Sequence, residues 1–229
     1  MSSTIRSFTL EEVDFRYSTG GRIFERVSME LPMNAITHVN GPLGHGQSTL
    51  LKILALLIPP TSGRVVINGI AASEMSFEEF LPWRLEIGYT FEMGGLLANR
   101  TLEENLLLPH LYHNLSDVDA VREQVLAVAE RFKFTNLLDR RPALVSGGLR
   151  KLITILRPML QKPSVLIMDD PFSGLDPDTA RELEKMIFEL RAKSELKTIF
   201  FTSRDETWPA RLGANSLWVE NGKVTRKSA

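Results

Sequence analysis

The stretch Gly41-Pro42-Leu43-Gly44-His45-Gly46-Gln47-Ser48-Thr49 constrains this chain more than any other. It follows a short apolar run, Ala35-Ile36-Thr37-His38-Val39, and opens a segment over residues 48–58 with helical character. Strand, glycine-rich turn and helix start, in that order, let backbone N–H groups converge on an anion. The glycines allow successive amides to curl, and the helix N-terminus adds partial positive charge. Against the phosphate-loop pattern G-x-x-x-x-G-K-[ST], every specified position matches except one, where Gln47 replaces the lysine. The nine residues are therefore candidate phosphate contacts in a loop without its fixed cation. Taken alone, the stretch also fits an ordinary glycine-rich turn.

Length and charge narrow the setting. At 229 residues the chain is long enough to bury a sizeable core as one domain. A formal net charge of -1 and a pI near 6.5 argue against a general nucleic-acid-binding surface. Without cysteine there is no disulfide framework and no thiolate metal site, which fits a cytoplasmic protein. Residues 1–6 lack the apolar core of a signal peptide, and the longest apolar stretch, residues 50–58, is too short to span a bilayer and contains Lys52. A membrane function would have to act through another chain.

Residues 8–17 alternate, with Phe8, Leu10, Val13, Phe15 and Tyr17 apolar, although Glu11-Glu12 breaks the rhythm. The pattern predicts a strand, a turn over residues 18–21 and a second strand over residues 22–31, forming an antiparallel ribbon. Tyr17 is placed either to stack on a nucleobase or to serve as an edge-strand tyrosine. Thr61-Ser62-Gly63 predicts a turn, residues 64–67 a short strand, Asn68-Gly69 a hairpin and residues 87–91 a further strand. From residue 101 to 160 the pattern is helical. Val118, Val121, Val125, Val128 and Phe132 recur as a core stripe, and Ser116 with Asp119 fits a capping box. Val145-Ser146-Gly147-Gly148-Leu149-Arg150 opens another apolar segment that Pro158 should kink or end.

Val165-Leu166-Ile167-Met168 is a continuous apolar run that ends in Asp169-Asp170. It reads as a buried parallel strand, and ligands of such sheets sit beyond the carboxyl ends of the strands. Asp169 is thereby placed to hold a magnesium ion through its water shell. A tight loop through Ser173-Gly174-Leu175-Asp176 leads to a helix over residues 178–193, with Leu183, Met186, Ile187 and Leu190 on one face. A last buried strand over residues 198–202 precedes Ser203-Arg204-Asp205, and Asn221-Gly222 marks a closing hairpin.

These segments together resemble the ATP-binding subunit of an ABC transporter over about residues 8–223. The phosphate loop, Ser146-Gly147-Gly148, the strand ending in Asp169 and Ser173-Gly174-Leu175-Asp176 stand in that family's order and spacing. The resemblance implies an α/β P-loop NTPase (ABC ATPase) core with an antiparallel β subdomain. A helical subdomain over about residues 92–158 would be inserted, all within one nucleotide-binding domain. It also implies ATP and Mg2+ as ligands and transmembrane permease subunits as partners at the inner face of the cytoplasmic membrane. A second ABC subunit, identical or not, completes the pair, because two such chains sandwich two ATP molecules. Tyr17 and residues 41–49 would contact nucleotide, and Ser48, Asp169 and Glu92 the metal. Ser146, Gly147, Gly148, Leu149 and Asp176 would serve the partner's nucleotide. Met93-Gly94-Gly95-Leu96-Leu97, Leu102-Glu103-Glu104-Asn105 and Leu108-Pro109 are most similar to the Mla/Mce lipid-trafficking type, with the lipoprotein-release and MacB-like group next.

Four departures stand out against that pattern. Gln47 replaces the phosphate-gripping lysine, Glu92 the metal-sensing glutamine, Asp170 the catalytic glutamate and Ser203 the switch histidine. The first two each make the site one unit more negative toward an anionic ligand. Asp170 is one methylene short, and Ser203 cannot replace an imidazole, so weak binding and little or no hydrolysis are expected at this chain's own site. His45 either restores some charge when protonated or is an exposed loop histidine. Leu149 replaces a frequent glutamine, as in some lipid-transporting relatives. Energy coupling by a degenerate subunit, a non-catalytic scaffold that uses the fold as an interaction surface, and a fully active ATPase by compensation are the competing functions.

Overall fold

The computed structural model describes residues 4–113 and 117–227. In chain order these form β1 (Phe8–Arg16), β2 (Arg22–Glu30), β3 (Ile36–Asn40), α1 (Gln47–Leu54), β4 (Ser62–Ile67), β5 (Ile70–Ala71) and α2 (Phe77–Leu85). Then follow β6 (Ile87–Thr90), α3 (Leu102–His113), α4 (Val118–Arg131), α5 (Gly147–Met159), β7 (Val165–Met168), α6 (Pro177–Ala192), β8 (Thr198–Phe201), α7 (Thr207–Arg211), β9 (Asn215–Glu220) and β10 (Lys223–Lys227).

Strands without a polar face need cover on both sides, and the four-residue runs of β6, β7 and β8 are buried throughout. They lie in a six-stranded sheet ordered β10-β9-β3-β8-β7-β6, parallel except at the β9–β10 hairpin. Alternation divides the core in two. Leu166, Met168, Ile199 and Phe201 face a cluster built from α3 to α7. Val165, Ile167 and Phe200 face α1 and the small sheet β2-β1-β4-β5. A one-residue slip of β8 would send Phe200 and Phe201 to the wrong clusters, so the register is strongly specified.

The ribbon of β1 and β2 is antiparallel, as the alternation implied. The break at Glu11-Glu12 is a bulge, with Glu12 at φ 49° and a register shift between Leu10 and Val13. Both predicted hairpins form, with Asn68 at φ 50° and Asn221 at φ 49° in their turns.

Several boundaries differ from the sequence reading. The first helix stops at Leu54 rather than near residue 58, because Leu56 takes a left-handed φ of 56° and Pro59-Pro60 bars continuation. Ser62 and Gly63 belong to β4 rather than to a turn, since that strand follows the bulged edge of β1. The Ser116 capping box lies outside the described residues; Asp117 caps α4, accepting from Asp119 N at 3.1 Å. Pro158 sits in the last turn of α5, which ends one residue later. The α4 stripe does face the core through Val121, Val125 and Val128, and α6 does so through Leu183, Met186 and Ile187.

Candidate functional site

Because β3, β6, β7 and β8 run parallel, their carboxyl ends meet at one edge of the sheet. There the 41–49 loop, Glu92, Asp169-Asp170 and Thr202-Ser203-Arg204 line a cavity of about 480 Å³ that also takes in Tyr17 and Glu206.

The loop holds its curve through two tight approaches. A Cβ at Gly41 would stand 2.1 Å from Val219 O, and one at Gly46, where φ is 107°, would stand 2.4 Å from Ile23 Cγ2. Gly46 precedes α1 without a side-chain cap, and the first turn carries no acid, so its N–H groups stay free for an anion. Gln47 folds inward, its Nε2 donating to Pro42 O at 2.8 Å. His45 Nδ1 accepts from Asn221 N at 3.4 Å, which ties that ring to the β9–β10 turn. Leu43 projects outward, 92% exposed. Tyr17 stands at the cavity edge, its hydroxyl 3.1 Å from Thr49 Oγ1 and its ring edge-on to Phe15.

The carboxylates are held by a short relay. Asp169 Oδ1 accepts from Ser48 Oγ at 3.0 Å and from Thr202 Oγ1 at 2.7 Å, and Thr202 Oγ1 in turn accepts from Asp170 N at 2.9 Å. A hydroxyl beside a buried carboxylate is an oxygen set suited to Mg2+, which keeps waters and phosphate oxygens as its other ligands. Among the described residues no three carboxylate or histidine side chains converge, so the protein alone makes no complete metal cage. Asp170 takes a left-handed φ of 46°, and its buried Oδ2 lacks a hydrogen-bond partner. Burial pushes its carboxyl above the ordinary range, against the pull of Arg204 and Lys151. The next turn is anchored by Phe172, stacked on Trp208 at 3.8 Å between ring centroids, with Arg211 over the same indole.

Ser146, Gly147, Gly148, Leu149 and Asp176 stand outside this cavity. Ser146 caps α5, its Oγ accepting from Leu149 N at 3.2 Å, and Gly148 abuts the Gly174 carbonyl. Asp176 caps α6 by accepting from Asp178 N and Thr179 N, both at 3.0 Å, and bonds from Thr179 hold its carboxyl below the usual range.

A model of the ABC transporter family matches residues 24–173. The chain belongs to that family. Curated ABC proteins similar to it include the phosphonates import ATP-binding protein PhnC 2 of Synechococcus sp., 32% identical over 83% of this chain and 73% of that protein. The lipoprotein-releasing system ATP-binding protein LolD of Buchnera aphidicola is 32% identical over 89% of this chain and 88% of that protein. Among solved structures, a dimeric ATP-binding cassette in a post-hydrolysis state bound to ADP and Pi superposes with a TM-score of 0.85 at 23% identity, covering 96% of this chain and 98% of that one. The fold is therefore the ABC ATPase fold, with its α/β core, antiparallel sheet and helical part.

Two cations in the ABC site had no part in the sequence reading. Lys151 on α5 reaches the carbonyls of Phe91, Glu92 and Asp169 at 3.3, 2.9 and 3.2 Å, and burial lowers its pKa. Arg204 donates to Glu92 Oε1 at 2.6 Å and places its Nε 3.7 Å from Asp170 Oδ2. The charge account built on Gln47 and Glu92 alone is thus incomplete, because Glu92 faces a guanidinium. The available signal was the charge at residue 204, where the family's Thr-His-Asp reads Thr202-Ser203-Arg204.

Proposed function

We propose that this chain is the ATP-binding, energy-coupling subunit of an ABC transporter, weak at its own nucleotide site and able to complete the site of a partner cassette. One observation carries the reading. Four of the five family departures fall on the residues that serve a subunit's own ATP, Leu149 being the exception, and the structure gathers Gln47, Glu92, Asp170 and Ser203 around one cavity. The set that serves the partner keeps its family identities at Ser146, Gly147, Gly148 and Asp176 and lies apart from that cavity. A scaffold would have no reason to spare one set and lose the other.

In this reading the loop amides of residues 41–49 and the α1 N-terminus bind the phosphates, and Tyr17 flanks the base. Ser48 and Asp169 would hold Mg2+, which when bound neutralises charge on the phosphate oxygens, while Glu92 is engaged by Arg204. Asp170 and Ser203 occupy the water-orienting and γ-phosphate-sensing positions without the reach or the imidazole those tasks use. Residues 92–158 form a helical subdomain within one nucleotide-binding domain. The partners are membrane permease subunits and a second, catalytically intact ABC subunit, with this chain peripheral on the inner membrane face. Among the described residues no helix is long and apolar enough to cross a membrane. A lipid cargo of the Mla/Mce kind is the reading of the 93–109 segment, and the similarity to a lipoprotein-releasing protein favours its competitor, the lipoprotein-release group.

The test has two arms. The purified chain should show no ATPase activity above a Ser48→Ala control. In the co-expressed assembly with its permease and second ABC subunit, Gly147→Asp here should abolish ATPase activity and transport. A functional transporter containing this ABC chain alone, or an unchanged rate with Gly147→Asp, refutes the pairing.

A further inference from the structure

A site for a polyphosphate without a loop lysine needs a cation from elsewhere. Three side chains at or near the cavity are the candidates. Gln47 is neutral and bonded back onto Pro42 O. Lys151 is committed to three backbone carbonyls and half-buried behind the carboxylates. Arg204 differs on both counts. It lines the cavity directly, and its side chain is 72% exposed. Its partners, Glu92 and Asp170, are themselves cavity-lining side chains rather than structural carbonyls.

We propose that Arg204 is the phosphate-facing cation of this site, held by Glu92 until an anionic ligand enters. The inference rests on the nucleotide reading above and assigns a residue that the phosphate loop does not supply. Chemistry favours a guanidinium for this exchange, since its fork of donors fits a carboxylate and a phosphate equally well. Arg204 follows Thr202, whose hydroxyl bonds Asp169, so the short segment carrying the cation is fixed to the carboxylate beside Ser48. Its freedom is in the side chain, which is 72% exposed and shares the cavity with the loop. Glu92 then acts as a competitor: its carboxylate occupies Arg204 in the absence of ligand and repels the phosphates when Arg204 leaves. Specificity follows as well. A ligand must bring enough negative charge to win the guanidinium from Glu92, which favours a triphosphate over a monophosphate.

A purely neutralising Arg204 would make the same salt bridge, and the two roles separate in a background without the Glu92 charge. Binding of ATP, ADP and AMP in the presence of Mg2+ is measured by calorimetry on wild type, E92Q, R204Q and E92Q/R204Q, with circular dichroism confirming each fold. E92Q should bind ATP more tightly than wild type, and E92Q/R204Q should bind it about 10- to 100-fold more weakly than E92Q, the loss expected for charge-assisted hydrogen bonds. The R204Q loss should be larger for ATP than for AMP. Equal ATP affinities of E92Q and E92Q/R204Q would show that Arg204 only neutralises Glu92 and would overturn the proposal while leaving the nucleotide reading intact. If neither wild type nor E92Q binds ATP or ADP at concentrations on the order of 10 mM, the nucleotide reading falls and this inference with it.

Discussion

Restoring the missing lysine is the most direct test of what the loop lacks. In Gln47→Lys the new ammonium would lie where Gln47 Nε2 now bonds Pro42 O at 2.8 Å, one bond longer and still able to make that contact with one of three protons. The remaining protons would face the cavity. A unit charge about 4 Å from a phosphate oxygen is worth ~4 kcal/mol at an effective dielectric of 20. Solvent in an open cavity and the ordering of a long side chain reduce this toward the ~1.5–3 kcal/mol of a hydrogen bond between charged groups. The expected result is a Mg-ADP affinity about 10- to 150-fold tighter than wild type, measured by calorimetry at fixed ionic strength. The gain should shrink as salt is raised, because the added term is electrostatic. A change below about threefold, with unaltered thermal stability, would refute the view that the loop's geometry is intact and only its charge is missing.

Two further outcomes concern stability. Asn105 is fully buried on α3 and ties down the preceding loop, accepting from Leu97 N at 2.8 Å and donating to Leu97 O at 3.1 Å and Thr101 O at 2.8 Å. Asn105→Leu keeps the branched shape but strands those groups, so a loss of about 2–4 kcal/mol and a melting point lower by roughly 5–15 °C are expected; an unchanged melt would show that solvent satisfies the loop. His38 is buried on β3 against Phe201, and burial holds its pKa below the ordinary histidine value. The unfolded chain then binds more protons than the folded one, so the stability from neutral His38 is full above the unfolded pKa of about 6.5 and is lost as pH falls through the folded value. Melts at pH 7.5 and 5.5 should therefore differ more for wild type than for His38→Gln, and equal differences would discount this residue.

Much of the architecture was legible because local chemistry agreed with the fold. Strand runs such as Val165-Leu166-Ile167-Met168 have no polar face and so demand a sheet covered on both sides. Asn68-Gly69 and Asn221-Gly222 demand left-handed turns, and the Glu11-Glu12 interruption was the bulge itself. Helix α2 was not legible because Pro82 sits inside it and none of its side chains is buried; the Ser76–Glu79 capping box is its local mark. Five-residue α7 is too short for periodicity to register.

By itself the sequence determined the phosphate-loop turn, the alternation that separates the two core clusters, and the residue types present and missing at the site. Those properties depend on neighbours a few positions apart, whose backbone preferences and polarity act locally. Only the tertiary structure decided which strand ends share an edge and therefore which side chains meet. It set Arg204 on Glu92, 112 positions away, and Lys151 on the carbonyls of Phe91, Glu92 and Asp169. It also left Ser146 and its glycines apart from that cavity. Electrostatics acts through space, so the charge of a site built from four strand ends is a property of the sheet order and not of any one segment.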